Sequence, residues 1–154
     1  MTAELIGTAR RLAKASAKRP RQSDLKRGVS TAYYALFHTL ARECADLLVG
    51  STAQVRSSPA WVQVYRSLEH GIAKNSCKNA PTRNFPNGVL VFADTFETMQ
   101  EERHNADYDP ESRCTRPGVL VLIDNCEQAI VALKAEPRSD RKAFSVWVLL
   151  QKKR

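Results

Sequence analysis

The sequence predicts an all-α protein, an up-and-down bundle of four to five helices with an additional short terminal helix. Three observations predict it. Apolar residues recur at three- and four-residue spacing in one long stretch after another. Prolines and glycines (Pro20, Gly50, Pro59, Pro110, Pro117, Pro137) fall between those stretches. No segment alternates apolar and polar residues as a half-buried strand would, and no internal repeat is present.

The first helix is expected over Ala3 to Ala17, where Leu5, Ala9, Leu12, Ala13 and Ser16 keep helical spacing before Pro20 stops it. The second runs from Leu25 to about Val49, capped by Ser23 or Asp24 and ended by Gly50. Its core stripe is Val29, Tyr33, Leu36, Phe37, Leu40, Cys44 and Leu47. Beside it Arg27, Thr31, Tyr34 and His38 form a second row along one face. Such a polar and aromatic row is either a helix shoulder or the wall of a cleft. Ser51 to Ser58 reads as a loop. A third helix starts at Pro59, a residue suited to a first turn, with Trp61, Val64, Leu68 and Ile72 as its stripe. Asn75 to Asn87 shows no periodicity and reads as a connector. A fourth helix spans Val89 to Tyr108. A fifth opens at Pro117 and carries Val119, Leu122, Ile123, Cys126, Ala129, Ile130 and Leu133. The terminal helix runs from Ser139 to about Gln151 with Phe144, Trp147, Val148 and Leu150, and a basic tail begins at about residue 150.

The fourth helix ends in RHNADYD, Arg103 to Asp109. At roughly 100° per residue, Val89, Phe92, Phe96 and Met99 fall within about 40° of one direction. Arg103 is the next residue in that direction and Asp107 lies one turn further. A helix that feeds the core therefore ends by aiming an Arg and an Asp the same way, as a buried bridge or as a site.

A chain of 154 residues is expected to be one domain with a real core. No apolar run reaches the roughly 18 residues that a membrane span needs, so no membrane association is expected. The N-terminal stretch has basic residues but no continuous apolar core. It reads as an amphipathic helix ahead of a transit peptide, and not as a secretory signal. The four cysteines, Cys44, Cys77, Cys114 and Cys126, show neither C-x-x-C nor zinc spacing. Reduced thiols and a cytoplasmic location are expected from them. Three scattered histidines, His38, His70 and His104, make no dedicated metal site, and no cofactor is indicated.

The net charge of +8 favours an acidic partner, nucleic acid above all, or a solvated surface that keeps the chain soluble. Bases crowd Arg10 to Arg27 and the region from Lys134 onward, while between Asp94 and Glu111 Arg103 is the only strong base.

Two stretches together carry a resemblance: LKRGVSTAYYALFHTLARECADLLVG, residues 25 to 50, and QEERHNADYDP, residues 100 to 110. With the helix order, they resemble small bacterial members of the HEPN family in its AYYALFH and R-x-x-A-D-Y subgroup. The likeness covers roughly residues 5 to 150. It implies a helical bundle that forms a homodimer. It further implies a metal-independent endoribonuclease or a related RNA-binding module, in several cases a toxin beside a nucleotidyltransferase-like antitoxin. In the family's active motif an Arg is followed a few residues later by a His. The 2′-hydroxyl of RNA attacks its neighbouring phosphate, the His moves protons, and the Arg holds the phosphate.

The sequence departs from that motif. The window for the His holds Tyr108, Asp109 and Pro110. His104 is adjacent to Arg103 and points about 100° away, and adjacent residues on a helix do not face each other. His70 follows Arg66 on a different helix and reads as half of an exposed i,i+4 pair. His38 could meet Arg103 only through tertiary packing. Three readings follow. In one, Arg103 contacts phosphate, His104 or His38 does the proton work, and Tyr108 or Tyr34 stacks a base or bonds a phosphate. In another, the module is non-catalytic, Arg103 and Asp107 pair with help from Tyr34, and the face that includes Arg27 binds RNA, a nucleotide or a partner protein. In the third, the chain is only a bundle subunit of a larger complex. The second is favoured, because an Arg–Asp pair one turn apart satisfies itself and Asp107 would repel a phosphate on Arg103.

Overall fold

The computed structural model describes residues 1–150 of the chain, and these are helical with no strand among them. Five helices of twelve or more residues make the bundle: α1 (Thr2–Ala13), α2 (Gln22–Leu48), α6 (Asn87–Tyr108), α7 (Arg116–Lys134) and α8 (Arg138–Leu149). Three shorter ones, α3 (Ala53–Arg56), α4 (Pro59–Ser67) and α5 (His70–Asn79), lie between α2 and α6, and a 3-10 turn (Ala80–Thr82) follows α5. The long α2 packs against α1, α4, α6, α7 and α8.

Cross-helix bonds give the directions. Thr2 meets Thr39 at 2.9 Å, while a Cβ on Gly28 would touch the carbonyl of Ala9, so α1 and α2 are antiparallel. Ser30 reaches Asp107 and Tyr34 reaches Arg103, which sets α6 antiparallel to α2. Gly88, at the start of α6, lies against Ala132 and Glu136 near the end of α7. This is the up-and-down arrangement expected of the bundle.

The predicted stripes supply the core. Val29, Tyr33, Leu36, Leu40 and Cys44 of α2 are buried, as are Val89, Phe92, Phe96 and Met99 of α6. Val119, Ile123, Cys126, Ala129 and Leu133 of α7 and Phe144 and Val148 of α8 close it. Gly50 follows α2 with φ +148°, a left-handed conformation where a Cβ would also press on Val55.

Several boundaries differ from expectation. α1 stops at Ala13 rather than Ala17, because Arg116 donates to the carbonyls of Ala13 and Ala17. α2 begins at Gln22, ahead of the expected Ser23 or Asp24 cap, and the Gln22 amide exchanges two hydrogen bonds with the backbone of Cys114. The loop from Ser51 holds the one-turn α3, capped by Thr52. The third predicted helix is two. Pro59 does open α4, with Ser58 as cap, but Leu68 and Glu69 are extended and α5 starts afresh at His70. The break keeps Leu68 buried, so apolar spacing passes over it. The first five residues of the expected connector belong to α5, whose buried Ala73, Ser76 and Cys77 are small side chains that carry little hydropathic signal. Leu150, expected on the α8 stripe, is 64 % exposed just past the helix end. The expected end at Gln151 and the bases Lys152, Lys153 and Arg154 lie outside the described residues. No helix among the described residues is long and apolar enough to cross a membrane.

Candidate functional site at the end of α6

The α6 stripe continues as its spacing predicts. Buried Met99 is followed by Arg103, whose side chain is only 15 % exposed, and then by Asp107 at the surface. The helix stops at Tyr108, where Asp109 turns extended ahead of Pro110. The antiparallel crossing brings this end of α6 beside the first half of α2.

The guanidinium of Arg103 sits over two rings, 5.2 Å from the centroid of Tyr33 and 5.8 Å from that of Tyr34. Nη1 donates to the Tyr34 hydroxyl at 3.3 Å. The Asp107 carboxylate stands 3.9 Å from Nη1, too far for a hydrogen bond, and accepts from Ser30 Oγ at 2.6 Å. Arg103 Nε is buried with no acceptor among the described residues. The expected self-satisfying Arg–Asp pair is therefore a loose one: Ser30 holds the carboxylate, and a fork of five donors makes one hydrogen bond. Burial works against the charge on Arg103, but Tyr34, Tyr33 and Asp107 outweigh it and raise its pKa.

Two imidazoles flank this group. The His70 ring stacks on Phe37 at 3.9 Å, and its Nδ1 shares a 2.6 Å hydrogen bond with the Tyr33 hydroxyl. His38 Nδ1 shares one of 2.5 Å with the Tyr65 hydroxyl, and its ring lies 6.2 Å from that of Tyr34. Burial lowers the pKa of both, and for His70 the positive charge of Arg103 and then His38 lower it further. Burial likewise raises the phenols of Tyr33 and Tyr65. The stacked series continues from Tyr65 to Trp61, 5.1 Å away, whose indole nitrogen donates to Asp46.

Of the residues singled out in the sequence, Arg103, Asp107, Tyr34 and His38 come together here. His104 and Tyr108 do not join them: both are exposed, their rings 5.0 Å apart. Arg27 is exposed with no partner among the described residues, at the same end of the bundle as Ser30 and Asp107. His70 pairs with Tyr33 and Phe37 and is not half of an exposed pair with Arg66. Tyr33, Tyr65 and Ser30 were not singled out for the site. No local spacing signals them, because each partner comes from a distant part of the chain.

Part of the basic excess is spent inside the fold. Arg10 forks onto Asp124 and Glu127, Arg56 forks onto Asp46, and Arg141 bonds Glu43 through Nη1 alone. Lys18, Arg19, Arg21 and Arg27 stay exposed without ion-pair partners among the described residues, in the turn before α2 and in its first turns. Among the described residues no cluster of three or more His, Cys, Asp or Glu side chains could hold a metal ion. Comparison with protein-family models, with curated proteins and with solved structures finds no match to this chain.

Proposed function

We propose that the chain is a HEPN-like helical module that binds a phosphate-bearing ligand, an RNA strand or a nucleotide, at the Arg103 face without cleaving it. One observation carries the reading: Arg103 lies against the rings of Tyr33 and Tyr34, its Nη1 bonds Tyr34, and its Nη2 makes no hydrogen bond among the described residues, while Nε is buried. The Nη2 end of the guanidinium suits a phosphate that approaches away from Asp107, whose carboxylate stands 3.9 Å from Nη1 and is held by Ser30, and the half-buried Tyr34 ring offers a base a surface to stack on. The exposed Lys18, Arg19, Arg21 and Arg27 would add attraction for a polyanion.

The same face supports binding over cleavage. Cutting RNA at its 2′-hydroxyl needs one group to take a proton and another to give one. Burial lowers the pKa of both His38 and His70, which disfavours the imidazolium form that would serve as the acid. His104 faces away with Tyr108. A homodimer, a nucleotidyltransferase-like partner and a role in a toxin–antitoxin system belong to the same reading, and sedimentation and co-expression test them.

The direct test incubates labelled single-stranded RNA with the protein in EDTA. The reading expects intact RNA that is retarded on a gel in low salt. Metal-independent cleavage lost in both Arg103→Ala and His38→Ala would replace it with the endoribonuclease reading, for which the two imidazoles near Arg103 are the specific support.

A further inference from the structure

α8 carries two apolar faces. Phe144 and Val148 point into the core. Ala143, Val146, Trp147 and Leu150 repeat at i, i+3, i+4 and i+7, the spacing of a second stripe. That stripe walls an open groove of about 870 Å³ whose other side is α5 and the segment through Phe85. Val146 is 39 % exposed and Leu150 64 %, so the stripe faces solvent where a surface helix would turn polar.

The groove is built, and its charge is of one sign. Trp147 is fixed by an indole hydrogen bond of 2.8 Å to the carbonyl of Ser76. The guanidinium of Arg83 lies 4.5 Å over the Trp147 ring and has no carboxylate partner among the described residues. Among the described residues that line the groove Arg83 is the one charged side chain, and no carboxylate lines it. An apolar stripe beside a positioned cation fits an amphipathic helix that lays leucine-like side chains in the groove and carboxylates along its rim. A second copy of this chain fits poorly. Its net charge is +8, and an isologous contact across the groove would bring the two copies of Arg83 toward each other.

We infer that the groove between α5 and α8 is a docking site for an acidic amphipathic helix of a partner protein, separate from the Arg103 face. The test uses the whole chain and two fluorescent synthetic helices of about 18 residues with leucines at i, i+3, i+4 and i+7. One carries glutamates beside the leucines and the other lysines. The glutamate helix binds, and the lysine helix binds at least about tenfold more weakly. Val146→Glu and Leu150→Glu each weaken the glutamate helix about tenfold, and Arg83→Glu reverses the preference. All three are surface changes, and unaltered thermal melts confirm that they fold. Failure of the glutamate helix to bind, or equal binding of the two helices, overturns the inference. So does a dimer that Val146→Glu converts to a monomer, which would make a second copy the occupant. Loss of RNA retardation in Leu150→Glu would make RNA the occupant and overturns it as well.

Discussion

Arg103 donates to the hydroxyl of Tyr34 across 69 positions of chain, while Asp107, one turn away on its own helix, bonds Ser30 instead. The choice of partner decides what the site can do. A carboxylate forked onto the guanidinium would have closed it to any anion. A phenol occupies Nη1 and leaves Nη2 for a ligand, Nε being buried. The rings of Tyr33 and Tyr34 hold the group in place without consuming its hydrogen bonds.

Of the glycines, Gly88 has the least room for a side chain. A Cβ there would fall 2.4 Å from the carbonyl oxygen of Ala132 and 2.6 Å from Glu136 Oε1, which accepts from the Gly88 amide. Backbone cannot step aside as a side-chain tip can, so Gly88→Ala should cost about 1–3 kcal/mol in chemical unfolding. Wild-type stability in that variant would show that α6 and α7 are not so close.

Asp46 ties α3 and α4 to the bundle. It accepts two bonds from Arg56, at 3.0 and 2.8 Å, and one from the Trp61 indole at 3.0 Å. Asp46→Ala should destabilise the fold by about 2–3 kcal/mol and shift the Trp61 fluorescence toward that of an indole in water. A shift without destabilisation would mean that α4 docks without contributing to stability.

Stability should fall in mild acid. His38 and His70 have folded pKa values below their ordinary value of about 6.5, so below that pH the unfolded chain binds protons that the folded chain refuses. The urea midpoint should therefore be highest above about pH 6.5 and decline toward about pH 5, with a smaller decline in a His38→Gln, His70→Gln double variant. Asp46 and Glu127 have lowered pKa values and add their own loss only in stronger acid. A midpoint that stays flat or rises as pH falls from 7 to 5 would contradict the placement of both imidazoles.

Thiol chemistry checks the core from another side. Burial pushes Cys44 and Cys126 up to about 12 and raises Cys77 as well. Cys114 is half-buried in the loop before α7. An aromatic disulfide reagent at pH 8 should modify Cys114 first and reach the other three only on unfolding. Rapid reaction of more than one thiol would show a looser bundle.

The bundle was legible because its long stripes are simple. Val89, Phe92, Phe96 and Met99 are large, apolar and regularly spaced, and each is buried. The same angular reckoning placed Arg103 against the core. The α4–α5 break left no mark, since neither Leu68 nor Glu69 is a helix breaker and Leu68 stays buried either side of the reading. The α5 face escaped notice because alanine, serine and cysteine pack by size with little hydropathy. Within the site, spacing on one helix suggested Asp107 as the companion of Arg103, but the bond goes to Tyr34. Which of two acceptors wins depends on where a second helix lies, and periodicity along one helix is blind to that. His70 was hidden for the same reason: its partners Tyr33 and Phe37 lie on α2.

The most direct measurement is the anisotropy of a labelled single-stranded RNA in EDTA, titrated with wild type, Arg103→Lys and Arg103→Ala across a salt series. The account predicts RNA that stays whole and affinity about tenfold weaker in Arg103→Ala, with a salt slope shallower by about one. Arg103→Lys should keep the slope but lose affinity with the fork geometry. Equal affinity and equal slope in all three proteins, with only the melting temperature lowered in the variants, would make Arg103 a structural residue and contradict the account.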